Sequence, residues 1–301
     1  DAVDQVVEAR WVIPADAQRL VLEQHAVAIG GGRIREVLPI HKARDRYPGA
    51  PRIQLAGHAL IPGLINLHTH AAMTLMRGLA DDRALMDWLQ NHIWPAESRH
   101  VSEAFVRDGT LIACAEMLRG GVTCFNDMYF YPEAAAQAAL AAGMRAALGI
   151  IVIEMPSAYA ADAQDYLSKG LAARDALKHE PLLSFCIAPH APYTVSDKTF
   201  ERIAMLEGEL DLPLHIHVHE TRDEIESSLT RHGVRPLARL QRLGLVDSNL
   251  IAVHAIHLTD PEGALLAEKG CHIAHCPSSN LKLASGFEPP SRLLKRGVNV
   301  G

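Results

Sequence analysis

The chain has 301 residues, 49% of them apolar, with 29 Lys and Arg against 35 Asp and Glu and a net charge of −6. That length suits one large domain with a smaller appendage. The absence of any dense basic block argues against a nucleic-acid polymer as partner, because counterion release needs clustered positive charge. No segment reaches the ~18 uncharged apolar residues of a membrane span; the run from Ala134 to Ile153 comes nearest and is broken by Gly143 and Arg145.

Residues 1 to 58 read as a small β-domain. Val3 to Val12 and Ala26 to Val37 have strand-like apolar content, and Gly30-Gly31-Gly32 marks a hairpin turn. The basic stretch His41 to Arg52 also carries Asp45 and two prolines, and reads as a solvated loop. From residue 59 to 301 the rhythm changes. Short apolar runs (Ala59 to Leu67, Val122 to Phe125, Arg145 to Ile153, Leu182 to Ala188, Pro213 to Val218, Leu250 to Val253, Cys271 to Ala274) alternate with helical stretches. The helices are expected from Ser102 as N-cap to Gly120-Gly121, and over Pro132 to Ala142, Ala161 to Lys178, Ser196 to Leu210, Glu224 to Arg242, Asp260 to Lys269 and Ser291 to Lys295.

An eighth run begins at Val298 and is expected to continue beyond Gly301. Seven βα units and the start of an eighth strand predict an α/β fold, a (β/α)8 TIM-type barrel. A doubly wound sheet would carry a Gly-rich phosphate turn after its first strand, whereas here that strand ends in His68-Thr69-His70. The first residues show no basic stretch followed by an apolar core, so no secretory leader is expected. The chain opens on Asp1, and a few residues are expected to precede it.

In such barrels the active site lies at the C-terminal ends of the strands, where many of the 17 histidines fall. Strand one delivers His68 and His70. Strand four delivers His190, and strand five His215, His217, His219 and Glu220. Strand six delivers His254, with His257 beyond it, and strand seven His275. Period-2 spacing points His68 and His70 to one face, where neutral imidazoles can chelate one divalent ion, zinc being the commonest fit. Two loop histidines satisfied by hydrogen bonds are the plainer alternative for this pair. His215, His217 and His219 also alternate on one face, so spacing does not choose among them. Five cysteines without CxxC spacing suggest free thiols in a reducing cytoplasm.

The segment Pro62-Gly63-Leu64-Ile65-Asn66-Leu67-His68-Thr69-His70 resembles the first-strand signature of the amidohydrolase superfamily. Arg77-Gly78-Leu79 with Trp94-Pro95-Ala96-Glu97, Ala188-Pro189-His190-Ala191-Pro192-Tyr193, His217-Val218-His219-Glu220-Thr221 and Pro277-Ser278-Ser279-Asn280-Leu281-Lys282-Leu283 resemble its purine, pyrimidine and triazine aminohydrolases, most of all the 5-methylthioadenosine/S-adenosylhomocysteine deaminase family. The resemblance spans essentially the whole chain.

It implies one zinc ion held by His68, His70 and His217, and Glu220 as proton shuttle. It further implies that His254 polarises the attacked centre, Glu97 holds ribose hydroxyls and His190 contacts substrate. It also implies a β-sandwich completed by C-terminal strands, and a final aspartate ligand and acid/base partner, both beyond Gly301. Trp88 and Met73 are expected to line a pocket for a thioether tail.

Each implied role has a plainer alternative, Glu97 as a helix-start carboxylate and His190 as a loop-ordering group. His275 is read as structural. An arginine that some relatives place after strand three has no counterpart between Arg145 and Arg174. The implied reaction is hydrolytic deamination of an adenine nucleoside thioether, in a cytoplasmic homo-oligomer. The competing readings are a guanine or cytosine deaminase, a triazine hydrolase, and a non-catalytic amidohydrolase-like assembly protein.

Overall fold

The computed structural model describes residues 2–301. It divides into two compact units, with the boundary between Leu64 and Ile65.

The first unit is a four-stranded sheet of β1 (Gln5–Val12), β2 (Leu22–Gly30), β3 (Arg33–Pro39) and β4 (Arg52–Leu60), in the order β3-β2-β1-β4. β2 and β3 form the expected hairpin about Gly31 and Gly32, both at positive φ. The stretch His41 to Arg52 is not a free loop: Ile40–Arg46 is helical and packs Ala43 against Val6, Ala26, Ala28 and Leu38. Under it lies Glu8, 3% exposed, whose carboxylate takes Arg44 (2.7 Å) and Arg52 (3.2 Å). Two arginines of this stretch pair with a buried acid and Arg46 pairs with Glu36, and the hydrogen bond from Arg44 holds Glu8 below its ordinary pKa.

The second unit bears out the barrel. Eight strands run in sequence order in one sheet: β5 (Leu64–Thr69), β6 (Val122–Asp127), β7 (Arg145–Val152), β8 (Leu183–Pro189), β9 (Leu214–Val218), β10 (Leu250–His254), β11 (His272–Ala274) and β12 (Asn299–Val300). Their ladders are parallel from β6 through β12. Gly301, just after β12, lies against β5: a Cβ there would sit 2.5 Å from Leu67 Cδ1. β9 is buried at every position, as expected of a parallel strand covered on both faces.

Two expected elements are divided. The run Ala59 to Leu67 splits between β4 and β5, because Pro62 has no N–H to give a ladder. The helix expected over Glu224 to Arg242 is two, Arg222–His232 and Pro236–Arg242, separated at Gly233 (φ 70°). Between β5 and the helix Glu103–Arg119 the chain makes further helical turns, at Ala71–Met76 and from Leu85 to His100. Gly109 brings the long helix onto the first of these turns, where a Cβ would lie 2.5 Å from the Ala72 carbonyl oxygen. Ser102 is the N-cap, its hydroxyl accepting from Phe105 N at 3.2 Å. Among the described residues no helix is long and apolar enough to cross a membrane.

Candidate metal centre and substrate cavity

The strand ends bring His68, His70, His217 and His254 together. Ring centroids lie 4.8 Å apart for His68 and His70, 4.7 Å for His68 and His217, and 5.4 Å for His217 and His254. Ligand atoms of His68, His217 and His254 all fall within 4.8 Å of one another.

The proton on two of these rings is fixed by what faces them. His70 Nδ1 lies 2.6 Å from the Met128 carbonyl oxygen, and His217 Nδ1 lies 2.8 Å from that of His190. A carbonyl can only accept, so each Nδ1 carries the hydrogen and each Nε2 is a bare lone pair. His254 Nδ1 is held by Asn280 Oδ1 at 2.8 Å, and its Nε2 lies 3.5 Å from Glu220 Oε1. Burial pushes the pKa of His68, His70, His217 and His254 down, which keeps the rings neutral.

His68 Nε2 and His217 Nε2 are 3.1 Å apart. Two nitrogens on a tetrahedral zinc with Zn–N bonds of about 2.0–2.1 Å are separated by about 3.3 Å. A set of neutral imidazoles with lone pairs facing one point fits a divalent ion of the zinc type.

The other strand-five histidines separate. His215 is fully buried with Nε2 3.1 Å from His68 Nδ1, and its own Nδ1 has no partner among the described residues. His219 has φ +56°, which breaks the strand alternation and turns its ring out of the cluster. Its Nε2 accepts from Leu237 N (3.0 Å) and its Nδ1 faces the His257 carbonyl (3.3 Å), so it ties β9 to neighbouring segments. His275 lines the mouth, 6.5 Å from the Phe287 ring, outside the imidazole cluster.

Glu220 is 5% exposed, and burial raises its carboxyl to about 7. Its backbone is fixed by Glu224, whose carboxylate accepts from His219 N (3.0 Å) and Glu220 N (2.8 Å). His190 is half-buried, its Nδ1 3.1 Å from Thr194 Oγ1.

Two cavities meet here. One, of about 560 Å³, is lined by the histidine cluster and Glu220. The other, of about 480 Å³, is mainly apolar and includes Met73, Trp88, Phe130, Met155 and the Glu97 carboxylate. His70 and His190 line both. Glu97 sits on the helix Trp94–His100, accepts a hydrogen bond from Tyr129 Oη (2.8 Å), and is raised by burial to about 7.

Sequence reasoning missed Asp127, Met128, Tyr129, Glu224 and Asn280. Asp127 ends β6, and that position was itself a signal; the others act through backbone groups or across loops.

An eight-stranded parallel barrel whose strand ends converge neutral imidazoles and a buried carboxylate is the architecture of a metal-dependent hydrolase. The family model described as "Amidohydrolase family" matches residues 59–301, and the chain belongs to that family. It is 47% identical over 297 residues to the 5-methylthioadenosine/S-adenosylhomocysteine deaminase of Saccharophagus degradans, covering 99% of this chain and 67% of that protein. It is 46% identical to the protein of the same name from Teredinibacter turnerae, again over 99% and 67% of the two chains. Among solved structures, a zinc-bound adenosine deaminase from Xanthomonas campestris superposes with a TM-score of 0.97 at 48% identity, covering 99% of this chain and 68% of that one.

Proposed function

We propose that the protein is a zinc-dependent aminohydrolase that converts the 6-amino group of an adenine nucleoside, of the 5-methylthioadenosine or S-adenosylhomocysteine type, to a 6-oxo group with release of ammonia. The observation that carries this reading is the junction of the two cavities at His70 and His190. A ligand spanning it has its reacting ring among the imidazoles, a hydroxylated sugar by Glu97, and an apolar tail beside Met73 and Trp88. The names of the relatives support the same substrate class.

His68, His70 and His217 would hold the metal, their lone pairs aimed by the partners described above. His254 is directed at Glu220 and serves the reacting ring instead. Zinc supplies Lewis acidity that makes hydroxide available from water near neutral pH. Glu220 takes the water proton at a carboxylate oxygen and delivers it to a ring nitrogen, which makes the ring carbon electrophilic. The water oxygen bonds to the ring carbon, Glu220 carries the remaining hydroxyl proton to the amino nitrogen, and the C–N bond breaks so that ammonia leaves and the carbon keeps a 6-oxo group. His254, its Nδ1 hydrogen given to Asn280 Oδ1, presents a bare Nε2 to Glu220 and accepts from the protonated carboxyl, holding it in line with the ring, while Glu97 and His190 orient the substrate.

The five cysteines are free, three of them buried, which supports a reducing cytoplasm. A homo-oligomer is the proposed assembly, to be checked by light scattering.

The test is ammonia release by the zinc-loaded protein from 5-methylthioadenosine, S-adenosylhomocysteine, adenosine, guanine and cytosine, with Glu220→Gln as control. Turnover of nucleosides that is lost in the control supports the reading. Turnover of free bases alone overturns the sugar assignment of Glu97.

A further inference from the structure

Three consecutive residues leaving β6 tie the two ends of the site together. Asp127 Oδ1 accepts from Ala71 N at 2.7 Å, and Met128 N donates to the Thr69 carbonyl at 2.9 Å. The Met128 carbonyl takes the His70 Nδ1 hydrogen, and Tyr129 Oη donates to Glu97 Oε1 at 2.8 Å. The segment that aims an imidazole at the metal centre therefore also grips the carboxylate in the apolar cavity.

We infer that Tyr129 is a positioning residue for sugar recognition, holding one oxygen of Glu97 so that the other meets the substrate's vicinal hydroxyls. The inference rests on the reading of Glu97 given above.

The direction of the hydrogen bond is settled by chemistry. Tyr129 is 5% exposed, and burial beside Glu97 drives its phenol well above the ordinary range, so the tyrosine donates and the carboxylate accepts. A carboxylate offers about four lone-pair sites, and one hydrogen bond to Glu97 is made by Tyr129. In a mainly apolar cavity the remaining acceptor capacity is costly to leave unmet, and a pair of sugar hydroxyls meets it. The ring cannot readily swing aside, since it packs on Phe130 (5.1 Å between centroids) and lies 6.4 Å from His70. Without the hydroxyl, Glu97 would lose the one contact that opposes its burial-driven protonation.

The experiment compares kcat/KM for adenosine and 2′,3′-dideoxyadenosine in the wild type, Tyr129→Phe, Glu97→Gln and the double variant, with zinc content and Tm measured for each. Tyr129→Phe removes one oxygen and keeps the ring packing. The wild type is expected to prefer the ribose substrate strongly. In Tyr129→Phe that preference should shrink about fivefold to tenfold, mainly through KM, as for one lost hydrogen bond of ordinary strength. Adding Tyr129→Phe to Glu97→Gln should change nothing more, and zinc content should hold. An unchanged preference in Tyr129→Phe, or an equal fall on both substrates, overturns the inference and leaves the tyrosine a packing residue. A wild type indifferent to the sugar hydroxyls would sink the reading of Glu97, and this inference with it.

Discussion

The two ends of the site are built by different means. At the histidine end the groups lie on or directly beyond β5, β9 and β10, and two of the rings are oriented by backbone carbonyls. At the Glu97 end the carboxylate rides on a short helix between β5 and β6, held by a tyrosine from a loop. Strand ends in a barrel are fixed by ladders on both sides, and a helix in a connection is fixed mainly by its side-chain contacts. Chemistry that tolerates little displacement sits on the rigid end. On the function proposed above, recognition of the part of the ligand that does not react falls to the adaptable end.

The sharpest break in this comparison is removal of a metal ligand. His217→Ala and His70→Ala are each expected to lose zinc and all activity, as read by metal analysis after dialysis. His254→Asn should keep its zinc and lose turnover. Zinc retained in His70→Ala but lost in His254→Asn would reverse the two assignments, in favour of the set His68, His217 and His254 whose ligand atoms lie within 4.8 Å. Next in size is Glu220→Gln, where loss of the proton relay should lower kcat by roughly 10²–10⁴ with zinc bound normally. A change confined to KM would make Glu220 a binding group.

The histidine end was legible in the sequence because the rules that build it are local. Period-2 spacing in His68-Thr69-His70 and the position of each histidine after an apolar run place those side chains with no knowledge of long-range contacts. Spacing could not separate His215, His217 and His219, since the positive φ of His219 that turns it away is a tertiary effect. The Glu97 end was legible only through resemblance. The helical turns of residues 71–100 are short, and one is a π-helical stretch. Such turns gain their stability from packing rather than from periodicity. The roles of Tyr129 and of Asn280, which stands in one of the resembling segments, were hidden for the same reason: each acts on a residue more than twenty positions away.

Smaller effects sharpen the contrast at the recognition end. Glu97→Gln should raise KM for nucleosides by roughly tenfold and leave kcat within a few-fold, because a binding contact made equally in ground and transition states changes KM alone. The pH dependence follows from the same carboxylate. Burial raises Glu97 from 4.5 to about 7, so it becomes an ionised acceptor only as the pH passes that value. The preference for ribose over dideoxyribose should therefore grow from about pH 6 to about pH 8, and a flat profile would mean that Glu97 meets the sugar in one protonation state throughout. For stability the sign is opposite. The folded state holds the proton more tightly than the unfolded chain, so this group's contribution declines as pH rises from 4.5 towards 7.

The smallest effect tests how soft the recognition end is. Ser102 caps the helix Glu103–Arg119 two residues after the helix that carries Glu97 ends at His100. Ser102→Ala removes one acceptor for a helix N–H and should cost ~1 kcal/mol of stability, read from denaturant unfolding. The long helix is still pinned where Gly109 meets Ala72, so the turn after His70 should stay in place and zinc content should not change. If the Tyr129 hydrogen bond holds Glu97 independently of the turn at residue 101, KM for adenosine should move by less than about twofold, the scale set by a fraction of 1 kcal/mol. A larger rise in KM with no loss of zinc would show that the cap, and not the tyrosine alone, sets the carboxylate's position. The difference between the two ends would then extend from the side-chain contacts into the backbone beneath them.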